Sequence, residues 1–276
     1  MIAALCAAEL LVLEGPDALA FAHGQFCNDV KSLPVDSWQW NAWLDPQGRV
    51  RCFFSLMRVG PARLIAWLPL GGAEAMREEL TRYVMRATLK LETLTWILHA
   101  LDAAPMSTAI AEVQVIPHKG GYALLQPGGS GRIAWIAPEA AQPADIVALN
   151  QWRLGDISAG LPLLTPALGG EFLAQALDLE RLAAIRFDKG CYPGQEIAAR
   201  LHFRGGNKRH LRRVRVCGAE PSTGSMIFDA ENAPVGRILY CASSAAHASD
   251  ALAVLAMTAA DSAMFSASGE HIEICR

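Results

Sequence analysis

The sequence offers no disulfide framework and no zinc site of common spacing. Its seven cysteines, Cys6, Cys27, Cys52, Cys191, Cys217, Cys241 and Cys275, are odd in number, scattered, and never spaced C-x-x-C, which suits a reducing compartment. No apolar run approaches the ~20 residues that a membrane helix requires, and Leu64–Leu70 falls far short of it. The stretch Met1–Leu13 lacks the basic n-region of a signal peptide, carries Glu9 and ends at the turn Gly15-Pro16-Asp17, so a strand is expected there. There is no internal repeat, no low-complexity segment and nothing with the composition of a disordered tail. A folded, cytoplasmic protein without a membrane partner is the expectation.

What is present suits sizeable cores. Of 276 residues 52% are hydrophobic, and the formal net charge is only −3; the length allows about two domains. Leu10–Glu14 has the pattern of a buried strand, and Asp17 is placed to cap a short helix bearing Leu19, Phe21 and Ala22. The apolar runs Trp38–Trp43 and Val50–Val59 flank the turn Asp45-Pro46-Gln47-Gly48 and are expected to pair as a hairpin. Leu64–Leu68 adds a strand, Glu74–Val84 has helical spacing, and strand character returns at Lys90–Leu98. From Pro105 to Pro143 glycines punctuate short runs at Tyr122–Leu125 and Ile133–Ile136, suggesting a small hairpin-rich lobe. Asp145–Leu154 is helically spaced, and Phe172–Leu182 follows a Gly/Pro-rich connection. Strands and turns then alternate through Leu211–Cys217, Val235–Cys241, Ala251–Met257 and Ile272–Cys275, as in a small β-barrel. Hairpins mixed with helices make the fold class α+β.

The window from Asp188 to Arg209 gathers a thiol, a lysine, a carboxylate and several glycines. A thiol acts as nucleophile or metal ligand only as thiolate. Lys189 lies two residues before Cys191, and Pro193-Gly194 opens a helix through Leu201 whose positive end would face the sulfur. Both effects favour the anion. Cysteines are more often small buried hydrophobes, but lysine, glycine and proline on either side place this one on a loop.

Lys189-Gly190-Cys191-Tyr192-x-Gly194-Gln195-Glu196 resembles the K-G-C-Y-x-G-Q-E signature of the YgfZ family, folate-binding relatives of the glycine-cleavage T-protein (GcvT). Ala199-Arg200 and Phe203-Arg204-Gly205-x-Asn207-Lys208-Arg209 continue the likeness. Gly24-Gln25 with Asn28-Asp29-Val30, the Asp45-x-x-Gly48-Arg49 turn, and Ser158-Ala159-Gly160-Leu161-Pro162 resemble earlier blocks of that family. The resemblance implies a GcvT-like architecture of two interleaved α+β lobes around a central cavity, placed over residues 1–206, followed by a β-barrel over 207–276. It also implies binding of tetrahydrofolate or a derivative, no tightly bound metal, and a role with iron-sulfur proteins or their assembly factors that supports tRNA modification.

Two positions depart from the pattern. T-proteins use an aspartate after the turn of the first hairpin, but Gly48-Arg49-Val50-Arg51-Cys52 has no carboxylate, which disfavours aminomethyl transfer. A folate-contacting tryptophan near the first strand is replaced by Ala8, whereas the one before the A-G-x-P block is kept as Trp152.

A folate site calls for an aromatic face for the pterin, a few hydrogen-bonding groups and a cation for the glutamate tail. Trp152, Gln195, Arg200 and Arg49 are the candidate cofactor-binding residues, with Arg51 and Arg58 as further cations for the tail. Cys191 is the candidate reactive thiol and transient iron-sulfur contact. Lys189 would activate it, and Glu196 would take a proton or pair with Arg200 at i, i+4. One cysteine cannot hold a cluster that normally needs about four thiolates. Finally, Arg200, Arg204, Lys208, Arg209, Arg212, Arg213 and Arg215 accumulate with no acid between Ile197 and Ala219. That stripe could track a phosphate backbone such as that of tRNA, or equally be a solvated strand face. The leading expectation is a folate-binding accessory protein; the alternative is a folate-dependent one-carbon transferase.

Overall fold

The computed structural model describes residues 2–101, 113–129, 131–139, 143–261 and 263–275. Residues 105–112, the first part of the expected hairpin-rich lobe, lie outside them. The chain begins with one long strand, β1 (Ile2–Glu14), that absorbs both the N-terminal stretch and the expected strand at Leu10. Next come α1 (Ala18–Gln25) and the expected hairpin, β2 (Ser37–Leu44) and β3 (Val50–Gly60). Strand β4 (Arg63–Leu68), helix α2 (Ala73–Thr81) and strand β5 (Lys90–Leu101) follow. β6 (Val115–His118), β7 (Gly121–Gln126) and β8 (Arg132–Ala137) form an antiparallel set, and α3 (Ile146–Ser158) comes after them. Between Phe172 and Leu182 the chain makes successive turns. Helix α4 (Gln195–Arg204) carries the end of the signature.

β1 is the hub because it pairs antiparallel with β4 along one side and with β5 along the other. The result is one eight-stranded sheet in the order β2-β3-β4-β1-β5-β8-β7-β6. Its outer strands approach each other: Trp38 and Val115 donate their N–H groups to the carbonyls of Val113 and Asp36, and Ser37 bridges Gln114. Successive side chains of a strand point to opposite faces. Along β1, Ala8, Leu10 and Val12 join a core with Trp40, Phe53, Trp152 and the segment 157–192, whereas Leu11 and Leu13 pack with Phe26, Phe54, Met76 and Leu80 beneath α1 and α2. Ala8 is fully buried and is paired across the sheet with Trp96. Asp17 precedes α1 but makes no side-chain bond to it; its carboxylate instead accepts the Thr88 N–H, joining the α1 entry to the start of β5.

The last part of the chain is a closed barrel of β9 (Arg209–Cys217), β10 (Met226–Asp229), β11 (Pro234–Ala245), β12 (Ala248–Ala256), β13 (Met264–Ser266) and β14 (His271–Ile274). Val214, Val216, Ile227, Ile238, Ala251, Ala253 and Ile272 fill its interior. α3 carries the barrel. Asn150 exchanges two hydrogen bonds with the backbone of Ser243, at 2.8 and 3.0 Å, and Tyr240 donates its hydroxyl to the Leu161 carbonyl at 2.8 Å.

A buried ion pair braces α3 from the other side. Arg132 Nη2 donates to Asp156 Oδ1 at 2.7 Å and to the Trp152 carbonyl at 2.8 Å, Nη1 donates to the Pro127 carbonyl, and the guanidinium carbon stands 4.1 Å from the centre of the Trp152 ring. Gly155 makes room for it, since a Cβ there would lie 2.6 Å from the guanidinium. Burial pushes the Asp156 carboxyl up to about 6, against the pull of Arg132. Removing the arginine strands a buried carboxylate, so Arg132→Ala should cost about 3–5 kcal/mol in urea unfolding. A carboxyl raised in the folded state holds its proton more tightly than in the unfolded chain, so stability at this site grows as pH falls through the folded value. Arg132→Ala should therefore regain stability between pH 7 and 5 more steeply than the parent, and Arg132→Met with Asp156→Leu should restore most of the loss.

Candidate functional site

The signature sits where three pieces of the sheet side meet. Lys189 points inward, with Nζ 2.5 Å from the His23 carbonyl, 2.6 Å from that of Phe26 and 2.9 Å from that of Asn28. A lysine ammonium has three donors, and all three are used on this one stretch of backbone. Lys189 thus spends its three donors on fastening the end of α1 and has none left for the Cys191 thiol, which corrects the expected activating role. Burial pushes the Lys189 ammonium down to about 8. Tyr192 completes the anchor: its ring is buried 5.0 Å from Lys189 Nζ, and its hydroxyl donates to the Arg186 carbonyl at 3.0 Å.

Gly194 explains its own identity. Its φ is +76°, and a Cβ would fall 2.4 Å from the Asp45 carbonyl oxygen and 2.8 Å from the Gly48 Cα. The turn of the β2–β3 hairpin therefore rests directly on the signature, with Gly48, at φ +77°, facing Ile197 on α4. Asp45 closes that turn by accepting the N–H of Arg49 at 2.9 Å.

Cys191 is exposed, as is Cys217, whereas Cys27 and Cys241 are buried. Burial pushes the thiols of Cys27, Cys52 and Cys241 up to about 12. One neighbour of the signature carried no signal in the sequence motif. His23 lies beside Gly190, its Nε2 3.7 Å from where a Cβ of Gly190 would stand, and its Nδ1 lies 3.2 Å from Asp29 Oδ1. Partial burial and the nearby Lys189 lower its pKa, against the pull of Asp29. Among the described residues no group of three or more His, Cys, Asp or Glu side chains is arranged to hold a metal, and no helix is long and apolar enough to cross a membrane.

The largest cavity described, of about 740 Å³, opens between β2, the turn that joins β7 to β8 and the segment 181–183, and is lined by Trp38, Gln39, Trp40, Gln126, Arg181 and Ala183, among others. Trp40 stacks on Phe53 at 4.9 Å and meets Trp38 edge-on at 5.1 Å. Trp38 Nε1 and Gln39 Nε2 are buried donors with no partner among the described residues. Arg181 is partly engaged, its Nε on Asp178 at 2.8 Å and one Nη on the Gly160 carbonyl at 2.7 Å.

Most of the residues expected to bind folate do not line this cavity. Trp152 is buried beneath Arg132 and does not line this cavity. Arg49 donates to the carbonyls of Gly170 and Glu171, Arg51 forms a two-bond pair with Glu79, and Arg58 caps the carbonyls of Leu33 and Pro61. Gln195 begins α4 and Arg200 is exposed farther along it; neither lines the cavity. Glu196 is exposed in the first turn of α4, and no ion pair joins it to Arg200 among the described residues. The aromatic faces at the cavity are Trp38 and Trp40, and the cation is Arg181. The aromatic density of β2 was the sequence signal for the first two.

The signature and the cavity are joined through Asn28. Its side-chain amide donates to the Trp40 carbonyl at 2.8 Å and to the Ala183 carbonyl at 2.7 Å, its N–H reaches Asn41 Oδ1 at 3.0 Å, and its own carbonyl is held by Lys189.

No protein-family profile matches the chain. A tRNA-modifying protein YgfZ from Serratia proteamaculans is 31% identical over 223 residues, covering 73% of this chain and 67% of that protein. Its namesake from Pectobacterium atrosepticum is 31% identical over 222 residues, covering 73% and 66% respectively. Among solved structures, the glycine cleavage system aminomethyltransferase T from Bartonella henselae matches 98% of this chain and 83% of its own with a TM-score of 0.72 at 16% identity, which shows the fold.

Two outcomes follow from the site's geometry. In the native protein, brief iodoacetamide treatment followed by peptide mass spectrometry should modify Cys191 and Cys217 and spare Cys27 and Cys241. Lys189→Met should lower stability by at least about 2 kcal/mol, because each buried carbonyl left unmet costs about 1–3 kcal/mol; unchanged urea unfolding would contradict the anchoring role.

Proposed function

The chain belongs to the YgfZ family, and from that premise we propose that it is a cytoplasmic folate-binding accessory protein that supports iron-sulfur enzymes, tRNA-modifying ones among them. The observation that carries this reading is the linkage through Asn28 of the cavity wall to the segment that Lys189 of the signature holds. A ligand in the cavity would press on the same backbone that positions the loop of Cys191.

The cavity fits tetrahydrofolate or a derivative in size and lining. Its volume falls within the ~300–1,000 Å³ of small-molecule sites. Trp38 and Trp40 supply aromatic faces for a pterin, Gln39 and Gln126 supply amides for its ring edge, and Arg181 retains donors for an anionic tail. Bound there, the folate would supply one-carbon chemistry; the chain's own residues bind and orient it. Cys191 is the group we assign to contact with iron-sulfur proteins or their assembly factors. One exposed thiol gives a transient ligand, and a cluster's other ligands must come from the partner. The one-carbon transferase reading has less support: the stretch after Gly48 offers no carboxylate, and Arg51 within it is locked to Glu79.

Calorimetric titration of tetrahydrofolate into the reduced protein should show saturable binding. Arg181→Gln should weaken it about tenfold, the equivalent of ~1.4 kcal/mol, whereas Trp152→Phe should leave it within about twofold. Absence of binding by the parent protein would sink the folate reading. Cys191→Ala should keep folate affinity yet fail to restore iron-sulfur enzyme activity in cells lacking the protein; full restoration would remove the thiol from the function.

A further inference from the structure

The basic stripe of the sequence does not survive as one surface. Arg215 pairs with Asp250 at 3.0 Å, Arg212 caps the Leu211 carbonyl, and Arg213 is half-buried in a cleft beside Cys275. What remains is compact. Arg200, Arg204, Lys208 and Arg209 are exposed, and their side chains have no ion pair or hydrogen bond among the described residues. They occupy the last turns of α4 and the entry to β9, joined by Gly205 and Gly206 at φ +69° and +101°.

Aromatic rings, sparse in the linear sequence, gather at the same place. Phe187, from the segment leading into the signature, stacks on His202 at 4.4 Å with 22° between the ring planes. Phe203 meets His202 edge-on at 4.7 Å and is 75% exposed. A Glu180 carboxylate oxygen lies 2.7 Å from His202 Nδ1 and fixes that ring's orientation. An exposed phenylalanine on a rigid aromatic base, beside four unneutralised cations, is costly to leave in water unless something covers it.

We infer that this face, built by Phe203, His202 and Phe187 with Arg200, Arg204, Lys208 and Arg209, docks an unpaired segment of RNA. The cations match a phosphate backbone and Phe203 offers a face on which a base stacks, the combination that single strands use. An acidic protein would satisfy the charges but gives no reason for the exposed ring. RNA in place of DNA rests on the tRNA-modification part of the function proposed above; the surface itself does not depend on folate.

The test is fluorescence anisotropy, without folate, using a labelled RNA hairpin with a seven-nucleotide unpaired loop and a fully paired RNA of equal length. The loop RNA should bind at least about fivefold more tightly than the duplex. Phe203→Ala, a change of an exposed side chain, should weaken loop binding about tenfold and barely affect the duplex. Replacing Arg200, Arg204, Lys208 and Arg209 by serine should weaken both and make log affinity against log salt shallower by about 3. Equal binding of loop and duplex, or no effect of Phe203→Ala, would overturn the assignment. So would displacement by polyglutamate that matches displacement by unlabelled RNA, which would point to an acidic protein partner. A protein that binds RNA in this way but not tetrahydrofolate would refute the folate reading and leave this surface standing.

Discussion

One ammonium group organises the functional half of this molecule. Lys189 converges on three carbonyls at the end of α1, and those carbonyls belong to the backbone that leads to Asn28. Asn28 in turn fixes Trp40 of β2 and Ala183 of the returning segment, two pieces of the cavity wall. Phe26, Asn28 and Trp40 are buried, and their carbonyls would be costly to leave unpaired. The signature is therefore first a structural knot, and the exposed Cys191 loop is what the knot presents.

A second constraint sets the rest of the frame. β1 spends both of its edges, one on β4 and one on β5, so the first half of the sheet and the second share a single central strand. The Arg132–Asp156 pair then ties β8 to α3, and the barrel is held through Asn150 of α3 and through Leu161 just after that helix. Core packing alone would leave these pieces free to slide, because apolar contacts are not directional; the buried ion pair and the amide clamp supply direction.

Much of the fold was legible because local signals and tertiary pairing agree. The turn Asp45–Gly48 sits between two apolar runs, and the β2–β3 hairpin forms there. Helical spacing placed α2 and α3 to within a few residues, and alternating strands and turns gave the barrel. The site was less legible for physical reasons. Two positions of sequence separation suggested that Lys189 serves Cys191, but a long side chain on a loop seeks unmet carbonyls, and those came from residues more than 160 positions earlier. Trp152 matched a motif, yet the nearest cation, Arg132, claims its ring, and the aromatic faces at the cavity come from β2. The arginine stripe was a property of the string: strand alternation and one aspartate divide it into separate environments.

The seam at Ser37 and Gln114 carries a last consequence. An open sheet presents two rows of unpaired backbone groups that invite another chain to add on, and natural sheets take measures to deny that template. Here the outer strands β2 and β6 turn toward each other, and the backbone around Asp36–Trp38 is stitched to Val113–Val115. The same stitches that border the cavity thus deprive a neighbouring molecule of its foothold at that point, so protection from edge-to-edge aggregation and access to the interior are governed by one short run of hydrogen bonds.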